Sequence, residues 1–334
     1  MLNINPSNKE GKSVAIIGAG IAGLSCATRL QALGYEVNLF EKSYGPSGRM
    51  STRHGDGWSA DHGAQYFTAR DPLFIKEVHS WLKHDVARIW HPHIEVFESG
   101  QWHQSQSKET RFVGYPSMNS PGKHLAQSLN IHYEQTIEAI KYQHNQWHLS
   151  SKESGEHTKQ FDWISLALPA PQTRALANIL HKDIDTITSN TNMKACWTVM
   201  ARFQVKPPVT FDAAFINQQI ISWMSRNNSK PGRSGIESWT IHANPQWSEE
   251  FIELPKEEAT ALILKCANML GLDCQNAEIS NHKWRYASGF TSPILGSYIH
   301  PDLKLSVCGD WVNGGRVEGA WTSGYQLANQ ISLL

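Results

Sequence analysis

Three glycines and one acidic residue near the N-terminus have the types and spacing of a dinucleotide-binding turn. Gly18, Gly20 and Gly23 form a GxGxxG pattern directly after the apolar run 14–17, and Glu41 ends the next predicted strand. The first glycine allows a tight turn, the second lets the backbone approach a pyrophosphate, and the third lets the following helix pack closely. The pattern predicts an adenine dinucleotide whose pyrophosphate lies at the helix N-terminus and whose ribose hydroxyls bind Glu41. The predicted contacts are Gly18, Gly20, Ile21, Ala22, Gly23, Glu41 and Lys42.

A second glycine-rich turn follows within a few residues. Gly45, Gly48, Arg49 and Met50 lie in the run YGPSGRMSTR. The Arg49 guanidinium can bind a pyrophosphate or a ribityl chain, and the glycines let the backbone pass close to either. An enzyme that binds only NAD has no need of this second turn. The pair of turns therefore favours FAD, with Gly48, Arg49 and Met50 as contacts.

The run DHGAQY places polar and aromatic side chains beside a glycine. At Gly63, Ala64 and Gln65 the backbone can lie against a flat ring, so these residues are predicted flavin contacts. His62, Gln65 and Tyr66 could line the space over an isoalloxazine and are candidate catalytic residues. The residues alone leave a second interpretation open, in which the histidine is a satisfied loop residue and the tyrosine serves packing.

The C-terminal region contains a strand, a glycine turn and a helix start. Asp310 closes an apolar strand, where it can accept a ribityl hydroxyl, and a helix is predicted to begin near Val317. The N–H groups at Arg316, Val317 and Glu318 would then face the N1 and O2 edge of a flavin. A helix N-terminus in that position stabilises the negative charge of a reduced flavin.

Two motifs resemble bacterial renalase-type FAD proteins: DHGAQYFTARD at 61–71 and the KWR core at 283–285. These proteins lie in a larger flavoprotein group that includes the amine oxidases, and a GGR-type motif follows its dinucleotide fold. The resemblance implies an α/β fold with a discontinuous FAD-binding domain of the glutathione reductase and hydroxybenzoate hydroxylase type. A mixed β-sheet substrate domain is inserted into it. The implied ranges are 1–75, 118–178 and 283–334 for the FAD-binding domain, and 76–117 and 179–282 for the substrate domain.

The resemblance also implies an activity. Renalase-type enzymes oxidise dihydronicotinamide isomers of NAD(P), with the hydride at the 2 or 6 position, and pass the electrons to O2 to give hydrogen peroxide. The sequence has no second glycine-rich βαβ unit and no redox cysteine pair, so electrons are expected from a substrate bound over the flavin. The candidate residues for this ring-binding slot are His62, Gln65, Tyr66, Trp284 and Tyr286. In the family a returning strand contacts adenine through its backbone, which makes Ile137 a further candidate.

Further substrate contacts are expected at Arg226, His242 and Arg285. Arg226 lies in a loop with Lys230 and Arg233, and three cations in eight residues could hold a substrate phosphate. Solvated loop charge is the alternative interpretation.

Three other functions remain open at this stage. A flavin amine oxidase generally has a lysine near flavin N5, and Lys194 and Lys283 are the candidates for it in this sequence. An aromatic hydroxylase of the same fold would consume NADPH and insert oxygen. A flavin-binding protein without turnover, acting as a sensor or scaffold, is the third.

Composition adds modest limits. The 334 residues are 40% hydrophobic, with 30 basic and 30 acidic residues, so the net charge gives no case for nucleic acid or a membrane surface. The polar first residues and the lack of a long apolar run predict a soluble, cytoplasmic protein, a monomer or weak dimer. The five scattered cysteines predict neither a disulfide framework nor a metal site. No flavin-attachment motif is evident, so the FAD is expected to be non-covalent.

Overall fold

The computed structural model describes residues 11–177, 180–291 and 293–334. The polar N-terminal residues 1–10 and the predicted domain boundary between residues 178 and 179 lie outside the described residues. None of the helices in the described ranges combines the length and apolar character needed to cross a bilayer.

The chain alternates strands and helices in a mixed α/β order. The strands are β1 (Ser13–Ile17), β2 (Glu36–Phe40), β3 (Thr52–Gly55), β4 (Trp58–Asp61), β5 (Ala87–Trp90), β6 (Ile94–Glu98), β7 (Gln101–Gln104), β8 (Arg111–Gly114), β9 (Asn130–His132), β10 (Ile137–Gln143), β11 (Gln146–Ser151), β12 (Gly155–Glu156), β13 (Trp163–Leu166), β14 (Lys194–Phe203), β15 (Ala213–Ile216), β16 (Ile221–Arg226), β17 (Glu237–Ala243), β18 (Glu278–Ser288), β19 (Tyr298–His300) and β20 (Leu305–Val307). The helices are α1 (Ile21–Ala32), α2 (Pro72–Lys83), α3 (Ser120–Ala126), α4 (Ala170–Ala177), α5 (Lys182–Ser189), α6 (Pro245–Glu250), α7 (Lys256–Met269) and α8 (Val317–Ile331).

A six-stranded sheet forms the half of the molecule that contains the predicted dinucleotide turn, the dinucleotide half. Its order is β19-β20-β13-β1-β2-β9, and every neighbouring pair is parallel except β19 with β20. β1 is central and wholly buried, with Ile17 opposite both Phe40 and Leu166. A continuous apolar run is typical of such a strand, because both of its faces are covered. The predicted Rossmann-type fold is confirmed.

The two ends of the chain pack together on this sheet. The Ser25 hydroxyl on α1 donates to the carbonyl oxygen of Trp321 on α8 at 2.8 Å. A Cβ on Gly324 would overlap the carbonyl oxygen of Ala22, so the two helices are in close backbone contact. α8 begins at Val317, as the sequence predicts.

A seven-stranded sheet forms the second half. Its order is β18-β14-β17-β16-β15-β6-β7, antiparallel apart from β15 with β6. The hairpin β6–β7 joins strands that follow it in sequence by more than a hundred residues, as expected of a sheet domain built from separate segments. β18 includes residues 283–288, which the predicted boundary assigns to the dinucleotide domain. This strand thus carries the KWR motif on the second sheet.

Local signals account for most element boundaries. Asp71 caps α2, since its carboxylate accepts from the N–H groups of Leu73 and Phe74 at 2.8 and 3.2 Å. The spacing of apolar residues from Leu73 to Ile89 predicts an apolar helix face that continues to Ile89. This prediction is wrong, because α2 ends at Lys83 and Ile89 is exposed on β5.

Candidate active site

The first glycine turn has the geometry that its sequence pattern predicts. Gly18 has a φ of +104° and donates its N–H to the carbonyl oxygen of Phe40 at 2.8 Å. A Cβ on Gly23 would overlap the carbonyl oxygen of Gly18, so only glycine allows this close approach. Gly20 instead faces open space, with nothing within 4 Å of an added Cβ, and no side chain caps α1 at this residue. An anion could therefore reach the backbone at Gly20 and the α1 amides.

Glu41 is fixed at the mouth of this turn. Its carboxylate accepts from the N–H of Ala19 at 2.8 Å and from the N–H of Ser43 at 2.9 Å, and the residue is 8% exposed. Lys42 is exposed beside it. The predicted ribose-binding carboxylate thus lies next to the glycines rather than out in solvent.

The second glycine turn packs directly on the first. The Ser47 N–H donates to the carbonyl oxygen of Ala19 at 2.8 Å, and an added Cβ on Gly48 would lie 3.4 Å from the Cα of Gly20. Ser47 has a φ of +93°, which is unusual for a residue with a side chain. Met50 is buried behind the turn.

Arg49 and Asp310, predicted separately as cofactor contacts, form an ion pair across 261 positions of sequence. The guanidinium donates to both carboxylate oxygens at 2.6 and 3.0 Å and to the carbonyl oxygen of Ala287 on β18 at 3.0 Å. This bidentate pair joins the second glycine turn, the end of β20 and the second sheet. Asp310 is 6% exposed, so the pair lies inside the cleft between the two halves.

The α8 N-terminus lies beside this pair, but its side chains point elsewhere. Arg316 is exposed and Val317 is half-buried. Glu318 accepts from the N–H groups of Arg70 and Asp71 at 2.5 and 2.6 Å, so its carboxylate holds the start of α2.

A cluster of rings forms where β18 meets the DHGAQY loop. The imidazole of His62 stacks on the indole of Trp284, with ring centroids 5.3 Å apart and planes inclined by 22°. The Trp284 Nε1–H donates to the carbonyl oxygen of His62 at 2.9 Å. The ring of His282 is edge-on to both, at 5.0 and 4.3 Å. His62 is 8% exposed, and its Nδ1 is buried without a protein partner. A Cβ on Gly63 would overlap the carbonyl oxygen of Arg49, which fixes this loop to the second glycine turn.

The three histidines here are neutral at pH 7. Burial, then the charges of His282 and Arg53, lowers the pKa of His62 to about 3. Burial is also the main cause that lowers the pKa of His282 to about 4 and that of His242 to about 4. The ring cluster is therefore an aromatic, uncharged surface rather than a strongly basic one.

Gln65 is buried under this cluster, and its side-chain amide forms hydrogen bonds with other groups of the protein. Its Nε2 donates to the carbonyl oxygens of Asp61 and Gly63 at 2.6 and 3.0 Å. Its Oε1 accepts from the hydroxyl of Ser225 at 2.7 Å and from the Lys230 ammonium at 3.0 Å. Ala64 is anchored in the same loop through its own N–H, which donates to the carbonyl oxygen of Arg49. Gln65 therefore holds the backbone that presents His62 and Gly63.

Below Gln65 lies a buried ionic cluster of Asp61, Lys230 and Arg233. The carboxylate of Asp61 lies 3.2 Å from the Lys230 ammonium and 2.7 Å from the Arg233 guanidinium, and it accepts from the Thr52 hydroxyl at 2.6 Å. Burial alone would raise the pKa of Asp61, but the two cations outweigh it and hold this pKa well below its usual range. Burial lowers the pKa of Lys230 to about 8, opposed by Asp61.

The prediction of solvated charge in the 226–233 loop is wrong for two of its three cations. Lys230 and Arg233 are only 2% and 5% exposed. Sequence reasoning missed the cluster because Asp61 and Lys230 are 169 positions apart. The only local signal was an unusually dense group of cations next to a buried strand.

The expected substrate contacts differ in their surroundings. His242 is near the ring cluster, with its Nε2 at 3.3 Å from the carbonyl oxygen of His62. Arg226 already pairs with Glu237 through two hydrogen bonds of 2.7 and 3.0 Å. Arg285 is exposed on the opposite face of β18 from Trp284 and pairs with Glu253 at 2.7 Å.

Three other candidates lie outside the ring cluster. Tyr66 packs between Trp90 and Trp223 on the side of the second sheet. Tyr286 packs on the hydrophobic core of the dinucleotide half. Ile137 is buried at the start of β10.

Comparisons with known proteins match the N-terminal part of the chain in sequence. A family described as an NAD(P)-binding Rossmann-like domain matches residues 16–77. A zeta-carotene-forming phytoene desaturase from Myxococcus xanthus is 39% identical over 57 residues, which are 17% of this chain and 11% of the desaturase. The chain therefore aligns with only about a tenth of the length of the curated relatives it matches.

Solved structures match nearly the whole chain. Cyclohexylamine oxidase from Brevibacterium oxydans IH-35A has a TM-score of 0.75 at 12% identity, covering 96% of this chain and 99% of the oxidase. A fatty acid isomerase from P. acnes that produces CLA has a TM-score of 0.73 at 10% identity, covering 96% and 98%. Identities this low establish the fold only, and the two proteins catalyse different reactions. The chain thus has the fold of these enzymes, and its residues 16–77 are similar to NAD(P)-binding Rossmann-like domains.

Proposed function

We propose that this chain is an FAD-dependent oxidase that takes a hydride from 2- or 6-dihydro isomers of NAD(P)H, leaving NAD(P)+, and passes the two electrons to O2, which becomes hydrogen peroxide. The observation that carries the proposal is the neutral ring cluster of His62, Trp284 and His282, with its unpartnered imidazole nitrogen. A dihydronicotinamide is a flat, uncharged ring with a carboxamide, and this cluster is complementary to it in both shape and charge.

The residues of the cleft fit a bound FAD. The open position at Gly20 and the uncapped α1 amides suit a pyrophosphate, and the Glu41 carboxylate beside them suits ribose hydroxyls. Arg49 and Asp310 lie in the cleft as a paired donor and acceptor. The helix α8 directs its N-terminus to the same region, which suits the pyrimidine edge of a flavin. When bound, FAD would supply the acceptor for the hydride.

The chain's own residues would then bind and orient the substrate ring. His62 Nδ1 is a buried polar atom that lacks a partner, so a substrate carboxamide could complete its hydrogen bonding. Trp284 would hold His62 in place through stacking and through its bond to the His62 carbonyl oxygen. The product is an aromatic pyridinium, so the reaction requires no strong base. The low pKa values of His62 and His282 make both imidazoles weak bases, which is consistent with a reaction that needs no strong base.

A flavin amine oxidase is the second candidate, favoured by the shared fold with cyclohexylamine oxidase. The two candidate lysines for an amine oxidase form contacts away from the ring cluster. Lys194 pairs with Glu249, and Lys283 donates to the carbonyl oxygen of Ile252 on the opposite face of β18 from Trp284. Neither lysine contacts the ring cluster, which lowers the support for this function. A hydroxylase gains no specific support from these residues.

Anaerobic stopped-flow spectroscopy of the flavin-loaded protein would distinguish these functions. We expect fast bleaching of the flavin band by 6-dihydro-NAD or 2-dihydro-NAD, slow bleaching by ordinary NADH and primary amines, and peroxide when air is readmitted. Fast bleaching by an amine alone would assign the protein to the amine oxidases instead.

The variant Trp284→Ala tests the role of the ring cluster. We expect it to slow bleaching by the dihydronicotinamide about 10- to 100-fold, because the substrate ring loses its orienting surface. Trp102→Ala, which changes a partly exposed indole on β7, is the matched control. Equal bleaching rates for wild type and Trp284→Ala would show that Trp284 is not part of the substrate site.

A further inference from the structure

A cavity of about 170 Å³ lies between the β2–β9 edge of the six-stranded sheet and the chain that follows β12. Its lining includes Asn38 and Phe40 from β2, His132 from β9, and His157 and Lys159 from the following segment. Phe40 and His132 stack with ring centroids 4.8 Å apart and planes inclined by 12°, which gives the cavity a flat aromatic wall.

The cavity contains buried hydrogen-bonding groups that lack partners. Asn38 is 3% exposed, and its Oδ1 accepts from the Asn130 Nδ2 at 2.7 Å and from the His132 Nε2 at 3.1 Å. The Asn38 Nδ2 has no partner, and neither has the Nε2 of His157. Buried polar groups in folded proteins are nearly always hydrogen-bonded. The Asn38 Nδ2 can only donate, and the His157 Nε2 donates in one of its tautomers, so the cavity has room for a missing acceptor.

The charge of the residues that line the cavity also favours a bound group that is negatively charged and accepts hydrogen bonds. Among the described residues that line the cavity none is acidic, and the nearby carboxylate of Glu36 is paired with Lys159. Burial lowers the pKa of His157, and burial together with the charges of His157 and Lys159 lowers the pKa of His132. The part of the His132 shift that comes from His157 and Lys159 is the one expected where positive groups face one another without an anion between them.

We propose that this cavity binds a small oxyanion, a phosphate or a carboxylate, with the Asn38 amide and the His157 imidazole as donors and Lys159 at the rim. The site is separate from the glycine turns. Asn38 and Phe40 share one face of β2, whereas the Glu41 carboxylate is bonded at the first glycine turn. The site therefore does not depend on the proposed oxidase activity, and binding is expected with or without a dinucleotide in the cleft.

Isothermal titration calorimetry of the full, flavin-loaded chain with inorganic phosphate, and separately with acetate, tests this proposal. We expect saturable binding of at least one of these ions, with the stronger ligand identifying the preferred oxyanion. Proton NMR of the imidazole rings should show the pKa values of His132 and His157 rising on binding. The absence of both saturable heat and histidine shifts with either ion would overturn the proposal.

Asn38→Asp is the decisive variant. It keeps an Oδ1 acceptor for Asn130 and His132 but replaces the free donor with a negative oxygen, so we expect at least about a tenfold loss of affinity. Asn190→Asp makes the same change at the exposed end of α5 and should bind as wild type. If Asn38→Asp does not fold, Lys159→Met should weaken binding severalfold. Wild-type affinity in the folded variants would refute the assignment.

Discussion

The two sides of the cleft are built in different ways. On the dinucleotide side, the key contacts are backbone groups and glycines within one short stretch, from Gly18 to Gly48, with a single buried carboxylate at Glu41. On the substrate side, the presenting loop depends on side chains that are far apart in sequence, above all Asp61 and Lys230. The difference is between a site held by local backbone geometry and a site held by long-range polar packing.

This contrast predicts different sensitivities to substitution. Backbone sites tolerate changes of side chain but not loss of a glycine at a close approach. Buried polar networks tolerate little change in any member, because each removed partner leaves another group unsatisfied.

The largest effect is expected at the buried ionic cluster. Lys230→Met removes one of the two cations at Asp61 and the donor to Gln65, so we expect about 3 to 5 kcal/mol of lost unfolding free energy. Urea unfolding at pH 7 measures it. Lys194→Met breaks a half-exposed pair between the start of β14 and Glu249 of α6 and should cost less than about 1 kcal/mol. Equal losses for the two variants would contradict a structural role for the cluster.

The role of the glycine backbone on the dinucleotide side can be tested with two glycines of the same turn, Gly20 and Gly23. Gly23→Ala places a methyl group against the carbonyl oxygen of Gly18, and the shift of α1 needed to relieve it should cost about 2 to 3 kcal/mol. Gly20→Ala meets nothing within 4 Å and should leave stability nearly unchanged while weakening retention of FAD. Urea unfolding and the flavin content of the purified protein are the two measurements. A stability loss at Gly20 as large as at Gly23 would show that the glycine spacing serves packing alone.

The smallest expected effect is the dependence of the unfolding free energy on pH. The folded pKa of His282, about 4, is below its ordinary value of 6.5, so below pH 6.5 the unfolded chain binds the proton and the folded protein does not. Stability should therefore fall from pH 6.5 towards pH 4. A fully buried histidine with this shift would contribute about 2 kcal/mol of loss between pH 7 and 5, and the half-buried His282 should contribute about 1 kcal/mol because solvent screens its charge. His282→Asn should reduce the measured loss by that amount. An unchanged pH dependence in His282→Asn would mean that this ring is charged in the folded protein.

Sequence patterns were a good guide wherever the determining contacts are local. The GxGxxG turn, the Asp71 cap and the α8 start at Val317 all depend on residues a few positions apart. The five cysteines are free and buried, in line with the expectation of isolated thiols. The extension of the α2 apolar face to Ile89 failed because apolar spacing alone does not mark where a helix ends.

The sequence by itself determined the Rossmann-type fold and the position of its dinucleotide turn, since strand, glycines and helix are consecutive and their geometry follows from local backbone sterics. Tertiary structure alone decided which charged residues meet. It paired Arg49 with Asp310, buried Lys230 against Asp61, and stacked His62 on Trp284. The physical reason is that burial and long-range pairing set the energy of a charge, and neither can be read from its neighbours in sequence.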